Sequence, residues 1–380
     1  MSRLPAVFAA VALLALAACG GSGSRGGGDT VSAPPSSIVV LGDSLASGEG
    51  INYGYTYYTG FPNHWTGGTE NPTWAGDYQL CHQSVQAYGD LLATAFTAKL
   101  ATFACTGSTY ENGIAFDRRA GGQLYRPAQF GDWLSMRKLN ADYDAAKPDT
   151  VIITLGADDI HFADILTFCA TGYTAADADE VETIAALRDP GERIRANFTE
   201  KFPTLEALTG RPQRVESSYC TAKNPGSVIE SEFWDPINSG EIASHYVDLV
   251  TAIRARGQRA GKVPRIVFTT YHNPLPGPLQ SVECLDLGDL TRDEINYTRS
   301  LIGTLQDTLI DAVRGLPGVT VADISHALDG HEFCTSDPWT YGLTVLALDS
   351  SSNAPFHPTP DGQKAIAAIV ESTLRGTASN

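Results

Sequence analysis

The sequence lacks most of what a nucleic-acid or metal protein uses. Its 26 Lys and Arg stand against 43 Asp and Glu, a formal net charge of −17. The chain therefore has no excess of base for a phosphate backbone, and anionic headgroups would not attract it electrostatically. There is no CxxC pair and no HExxH, which removes the familiar zinc spacings. Neither a metal nor an organic cofactor is expected, and nucleic acid is not an expected partner. Internal repeats are missing too. The apolar stretch from Leu4 to Ala18 is too short to span a bilayer with its flanks, and no second such stretch follows. What remains is an acidic chain with 43% hydrophobic residues, enough for a full core in one large domain from Ser36 to Asn380.

The start of the chain speaks to compartment. A basic Arg3 followed by the short apolar run reads as a signal peptide over residues 1–18. The run closes on Leu16-Ala17-Ala18-Cys19, which resembles the lipobox of bacterial lipoproteins. The resemblance implies a lipidated Cys19 and an extracytoplasmic protein anchored to the bacterial cell membrane, or a secreted one if the lipobox is not used. Residues 19–35 are rich in Gly and Ser and read as a flexible tether. Setting Cys19 aside leaves six of the seven cysteines, an even number in a compartment where disulfides persist. Six thiols allow fifteen pairings and the sequence does not choose among them. Joining sequence neighbours gives Cys81-Cys105, Cys169-Cys220 and Cys284-Cys334.

Apolar runs alternate with amphipathic segments along the rest of the chain. Ser37–Leu41, Ala101–Ala104, Thr150–Leu155, Arg265–Thr270 and Val319–Ile324 read as strands, and their near-continuous Val, Ile and Leu suit burial on both faces. Val85–Lys99, Glu241–Gly257, Thr291–Val313 and Asp361–Leu374 read as helices, the last with Gly376 as its stop. The alternation predicts an α/β fold, a three-layer α/β/α sandwich on a mostly parallel sheet of flavodoxin-like type. Ligands of such sheets bind beyond the carboxyl ends of the strands.

Four motifs stand at those ends. The first strand runs into Leu41-Gly42-Asp43-Ser44-Leu45, the second into Cys105-Thr106-Gly107-Ser108, and the third into Leu155-Gly156-Ala157-Asp158-Asp159. Phe356-His357-Pro358 precedes the terminal helix. Gly42 permits a tight turn that exposes the Ser44 hydroxyl, and a serine at a helix start has free backbone N–H groups near a developing anion. Together the motifs resemble the blocks of the GDSL/SGNH hydrolases, in particular secreted actinobacterial lipases and esterases. Cys81-His82-Gln83-Ser84 and Tyr271-His272-Asn273-Pro274 add to that resemblance.

The resemblance implies an acyl-ester hydrolase with Ser44 as nucleophile and His357 as general base. The oxyanion hole would be formed by Ser44, Gly107 and Asp158. Two positions depart from the family pattern. The family has Asn where Asp158 stands, and an ionised carboxylate cannot donate a hydrogen bond to an oxyanion. The family usually has an orienting Asp three residues before the histidine, where this chain has Ala354; some secreted members use a main-chain carbonyl there, and that of Ala354 is the candidate. Asp158, Asp159 and His161 are read as scaffolding rather than metal ligands. The aromatic residues between Ile51 and Leu80 suit a substrate rim, and an insertion at about 168–240 suits a lid. The expected substrate is a small-molecule or lipid ester, handled by a monomer. Two other functions stay open: a glycan O-acetyl esterase or acyltransferase, and a non-catalytic lipid- or glycan-binding lipoprotein.

Overall fold

A computed structural model describes residues 33–51, 83–111, 144–162, 165, 220, 229–277, 292–333, 335–341 and 356–376. The expectations for the signal peptide, Cys19, the aromatic stretch after Ile51, Ala354 and most of the insertion fall outside these residues. Everything that follows concerns the unit Ser32–Asn380.

Among the described residues five strands form one sheet: β1 Ser37–Gly42, β2 Lys99–Thr102, β3 Thr150–Thr154, β4 Arg265–Thr269 and β5 Val319–Ala322. They lie in the order β2-β1-β3-β4-β5, and every neighbouring pair is parallel. All six residues of β1 and all five of β3 are buried, which requires helices on both faces and accounts for the unbroken apolar runs. The fold is the three-layer α/β/α sandwich that the alternation predicts.

Helix α1 is a single turn, Ser44–Ser47. It is followed by α2 Tyr88–Phe96, α3 Asp235–Asn238, α4 Glu241–Arg259, α5 Arg292–Val313 and α6 Pro360–Arg375. A π-helical turn, Glu230–Trp234, leads into α3. Helix α2 packs with α6, and α4 with α5. Gly89 lets α2 lie close on the sheet, since a Cβ there would come 2.9 Å from Val40 Cγ2. In α6, Ile366, Val370 and Leu374 are buried at the spacing of one helical face, and Gly376 closes the helix at φ 68°.

Several boundaries differ from the sequence reading: the helix expected from Val85 starts at Tyr88, β2 ends at Thr102 rather than Ala104, and β5 ends at Ala322 rather than Ile324. The helix expected to reach Lys99 ends at Phe96, and β2 begins two residues earlier than expected, at Lys99. Thr97 takes a left-handed conformation, φ 54°, and its N–H closes the helix on Ala93 and Thr94. Lys99 can then pair with Ser37 at the start of β1. The local propensity for helix gives way to the ladder with β1.

Strand order reverses between β1 and β3, because the chain goes from β1 outward to β2 and then returns to the other side of β1. Such a switch point opens a crevice at the carboxyl ends of the two strands. Gly42 and Thr154, the last residues of β1 and β3, are register partners there.

Candidate active site

The turn after β1 is built around a glycine and a buried acid. Gly42 has φ 151°, and a Cβ on it would lie 2.6 Å from the carbonyl oxygen of Thr154, so no other residue fits. Asp43 caps α1, its Oδ1 accepting the N–H of Leu45 at 3.0 Å. Ser44 is thus the first residue of α1. That helix has four residues, and a single turn sums few peptide dipoles. Any help it gives an anion comes from individual N–H groups near Ser44.

Ser44 and His357 meet across the whole chain. His357 Nε2 lies 2.7 Å from Ser44 Oγ, 313 residues away in sequence, and both residues are half-buried. An unprotonated Nε2 accepting from the hydroxyl is the arrangement a general base requires.

The segment that carries His357 is pinned on several sides. Its carbonyl accepts the N–H of Tyr341 at 2.8 Å and the Thr340 hydroxyl at 3.2 Å, and the N–H of Phe356 bonds back to Tyr341 at 2.9 Å. Beyond it, Thr359 caps α6 and Pro360 occupies its first turn. Gln363, fully buried, then locks α6 to the turn that carries Ser44. Its Nε2 donates to the carbonyl of Leu45 at 3.0 Å, and its Oε1 accepts the N–H of Tyr88 at 2.9 Å. One side chain thereby ties α1, α2 and α6 together.

The third side of the crevice comes from β3. Ala157 donates its N–H to the hydroxyl of Tyr271 at 3.0 Å, and that hydroxyl donates in turn to Asp43 Oδ2. Asp158 follows, half-buried, at the carboxyl end of β3 beside β1. Asp159 is anchored: its Oδ1 accepts the N–H of Tyr110 at 2.9 Å and lies 3.4 Å from His245 Nδ1. The His245 ring stacks on Tyr110, with centroids 4.2 Å apart. His161 lies 3.5 Å from Glu232. Among the described residues no cluster of three His, Cys, Asp or Glu is arranged to hold a metal.

Gly107 sits in the loop after β2 at φ 69°. Cys105 in that loop donates its N–H to the carbonyl of Gly42 at 2.9 Å, so the Gly107 loop is laced to the turn that presents Ser44. Gln83 supports the same loop through Ala104 at 2.8 Å. Cys105 and Cys220 are both buried and disulfide-bonded. Cys81, Cys169, Cys284 and Cys334 lie outside the described residues, and so does the pairing.

A model of the GDSL-like Lipase/Acylhydrolase family matches residues 40–365, from within β1 into α6. The chain belongs to the GDSL-like Lipase/Acylhydrolase family. As a member it is a carboxylic ester hydrolase. Among solved structures it is similar to an extracellular lipase from Streptomyces rimosus, 18% identical with a TM-score of 0.47, covering 89% of this chain and 99% of that one. It is also similar to a phospholipase A1 from Streptomyces albidoflavus, 19% identical with a TM-score of 0.46 and the same coverages. No curated protein matches the chain.

Within this family member the sequence pointed to Ser44, Gly107, Asp158 and His357, but missed the buried groups behind them. Tyr271 and His272 fell in a motif noted only for its likeness, while Gln363, His245 and Tyr110 carried no local signal. Asp43 was visible only as part of a triplet. Its burial pushes its pKa up from the ordinary carboxylate value to about 7, against the lowering effect of the Tyr271 hydrogen bond.

That shift has a consequence for stability. Between about pH 4 and 7 the folded state keeps a proton on Asp43 that the unfolded chain has lost. Stability therefore falls as pH rises through this window, at up to about 1.4 kcal/mol per pH unit. Asp43→Asn retains the capping oxygen but cannot ionise, so its melting temperature should fall less than the parent's from pH 4 to 7. Parallel melting curves for the two proteins would contradict the shift.

Proposed function

We propose that this protein cleaves acyl esters of lipid type through an acyl-enzyme on Ser44, at the outer face of a bacterial membrane to which a lipidated Cys19 tethers residues 36–380. The observation that carries the chemistry is the 2.7 Å approach of His357 Nε2 to Ser44 Oγ. In the mechanism, Nε2 takes the hydroxyl proton as Oγ attacks the ester carbonyl carbon. The resulting oxyanion rests on the N–H groups of Ser44 and Gly107. The imidazolium then protonates the departing alcohol, and a water deprotonated by the same nitrogen releases the acid. The carbonyl of Ala354 serves as the acceptor that orients the imidazole, a role any well-placed acceptor can fill. The enzyme acts as a monomer, braced by the disulfides Cys81-Cys105, Cys169-Cys220 and Cys284-Cys334.

Asp158 is the residue that sets this enzyme apart. An ionised carboxylate about 4 Å from the oxyanion would oppose it by roughly 4 kcal/mol at an effective dielectric near 20. A protonated carboxyl would instead donate to it, as an amide does. Turnover then needs Asp158 protonated while His357 is not, which confines activity to a narrow pH window. Asp158→Asn supplies a donor at every pH, worth about 10²- to 10³-fold in rate. The expected result is a higher kcat and activity extended to alkaline pH; a variant slower than the parent at every pH would remove Asp158 from the oxyanion hole.

Release of p-nitrophenol from esters of increasing acyl length tests the whole proposal. Long-chain activity abolished by Ser44→Ala is the expected outcome. Acetyl-only activity would favour the glycan O-acetyl reading, and an inert parent protein would favour a binding lipoprotein. The anchor is tested separately: Cys19→Ser should move the protein out of the membrane fraction, and unchanged membrane partition would exclude lipidation at this residue.

A further inference from the structure

Phe356, the residue before His357, has φ +64°. This is a left-handed conformation that an aromatic side chain adopts at a cost of order 1–3 kcal/mol and keeps only where its surroundings impose it. Its ring is buried and meets Phe333 edge-on at 5.9 Å. Its carbonyl oxygen lies 3.1 Å from Nε2 of His272, a buried residue. A carbonyl only accepts, so the proton of the His272 ring sits on Nε2.

The segment that carries His272 is itself held firmly. The Tyr271 carbonyl accepts from Gln306 Nε2 at 2.6 Å, that of Leu275 from Arg299, and that of Pro274 from the N–H of Phe333 at 2.9 Å. His272 is thus a fixed donor behind the catalytic histidine's neighbour. Burial, with the nearby His357, pulls its pKa down to about 4, so the ring stays neutral when the His357 imidazole takes up its proton.

We propose that His272 is a positioning residue for ester hydrolysis, holding Phe356 in its left-handed conformation through Nε2–H and so aiming the His357 imidazole at Ser44. The proposal rests on His357 acting as the base. Gln and Asn at position 272 separate the donor from the mere presence of a polar side chain. The Gln amide nitrogen reaches about as far from the backbone as Nε2 does, and the Asn nitrogen falls one bond short.

The experiment measures kcat and KM on a p-nitrophenyl ester for the parent, His272→Gln and His272→Asn, each corrected for the folded fraction seen in thermal melts. The Asn variant should lose about 10- to 100-fold in kcat at unchanged KM, the scale of a misplaced catalytic group. The Gln variant should stay within a few-fold of the parent. Equal kcat in the two variants, a loss expressed in KM, or failure of either variant to melt cooperatively overturns the proposal. A parent whose turnover survives Ser44→Ala would instead sink the catalytic reading on which it stands.

Discussion

The hydrogen bond between His357 and Ser44 is the constraint around which the rest of the structure is arranged. It joins the end of the first strand to the entry of the last helix, 313 residues later. No local preference can hold such a pair at 2.7 Å, so each partner needs its own support. Ser44 is set by Gly42, whose missing Cβ lets the turn lie against Thr154, and by the Asp43 cap. His357 is set by the bridge to Thr340 and Tyr341 and by the capped start of α6. Gln363 closes the circuit by bonding α6 directly to the Leu45 carbonyl, one residue past Ser44.

The site is also costly in polar burial. Asp43, Asp159, His245 and His272 are all nearly removed from water, and each such group would destabilise the fold without partners. Tyr271 answers the first of these demands, donating a hydrogen bond to Asp43 while accepting the Ala157 N–H. It thereby couples the loop after β3 to the turn after β1. The two walls of the crevice are fixed relative to each other through one phenol, which is preorganisation of the kind acyl transfer needs.

Much of this was legible in the sequence, and the reason is the period of the apolar residues. Strands buried on both faces leave unbroken Val, Ile and Leu, so β1 and β3 were read to within a residue of their ends. Ser44 could be placed because it follows such an element, whereas Gly107, Asp158 and His357 were named through the resemblance of their motifs to the family's blocks. The failures were tertiary. The helix at Val85–Lys99 was drawn too long because Thr97 has no local mark of its left-handed turn. The positive φ of Phe356 has no local mark either; its backbone meets His272, in the loop after β4, and Tyr341 only in the folded chain. Gln363 reads as one polar residue in an amphipathic helix until its partners on α1 and α2 are in place.

Asp158 marks where family likeness and physical chemistry pull apart, since the family's Asn donates hydrogen bonds and an ionised carboxylate cannot. The nucleophile and its base are the parts of the account on which everything else depends. Mapping a fluorophosphonate adduct by peptide mass spectrometry, in the parent and in His357→Gln, tests them most directly. The account predicts an adduct on Ser44 alone, formed about 10²- to 10⁴-fold more slowly when the base is removed. An adduct on another serine, or labelling of Ser44 at the same rate without His357, would contradict it.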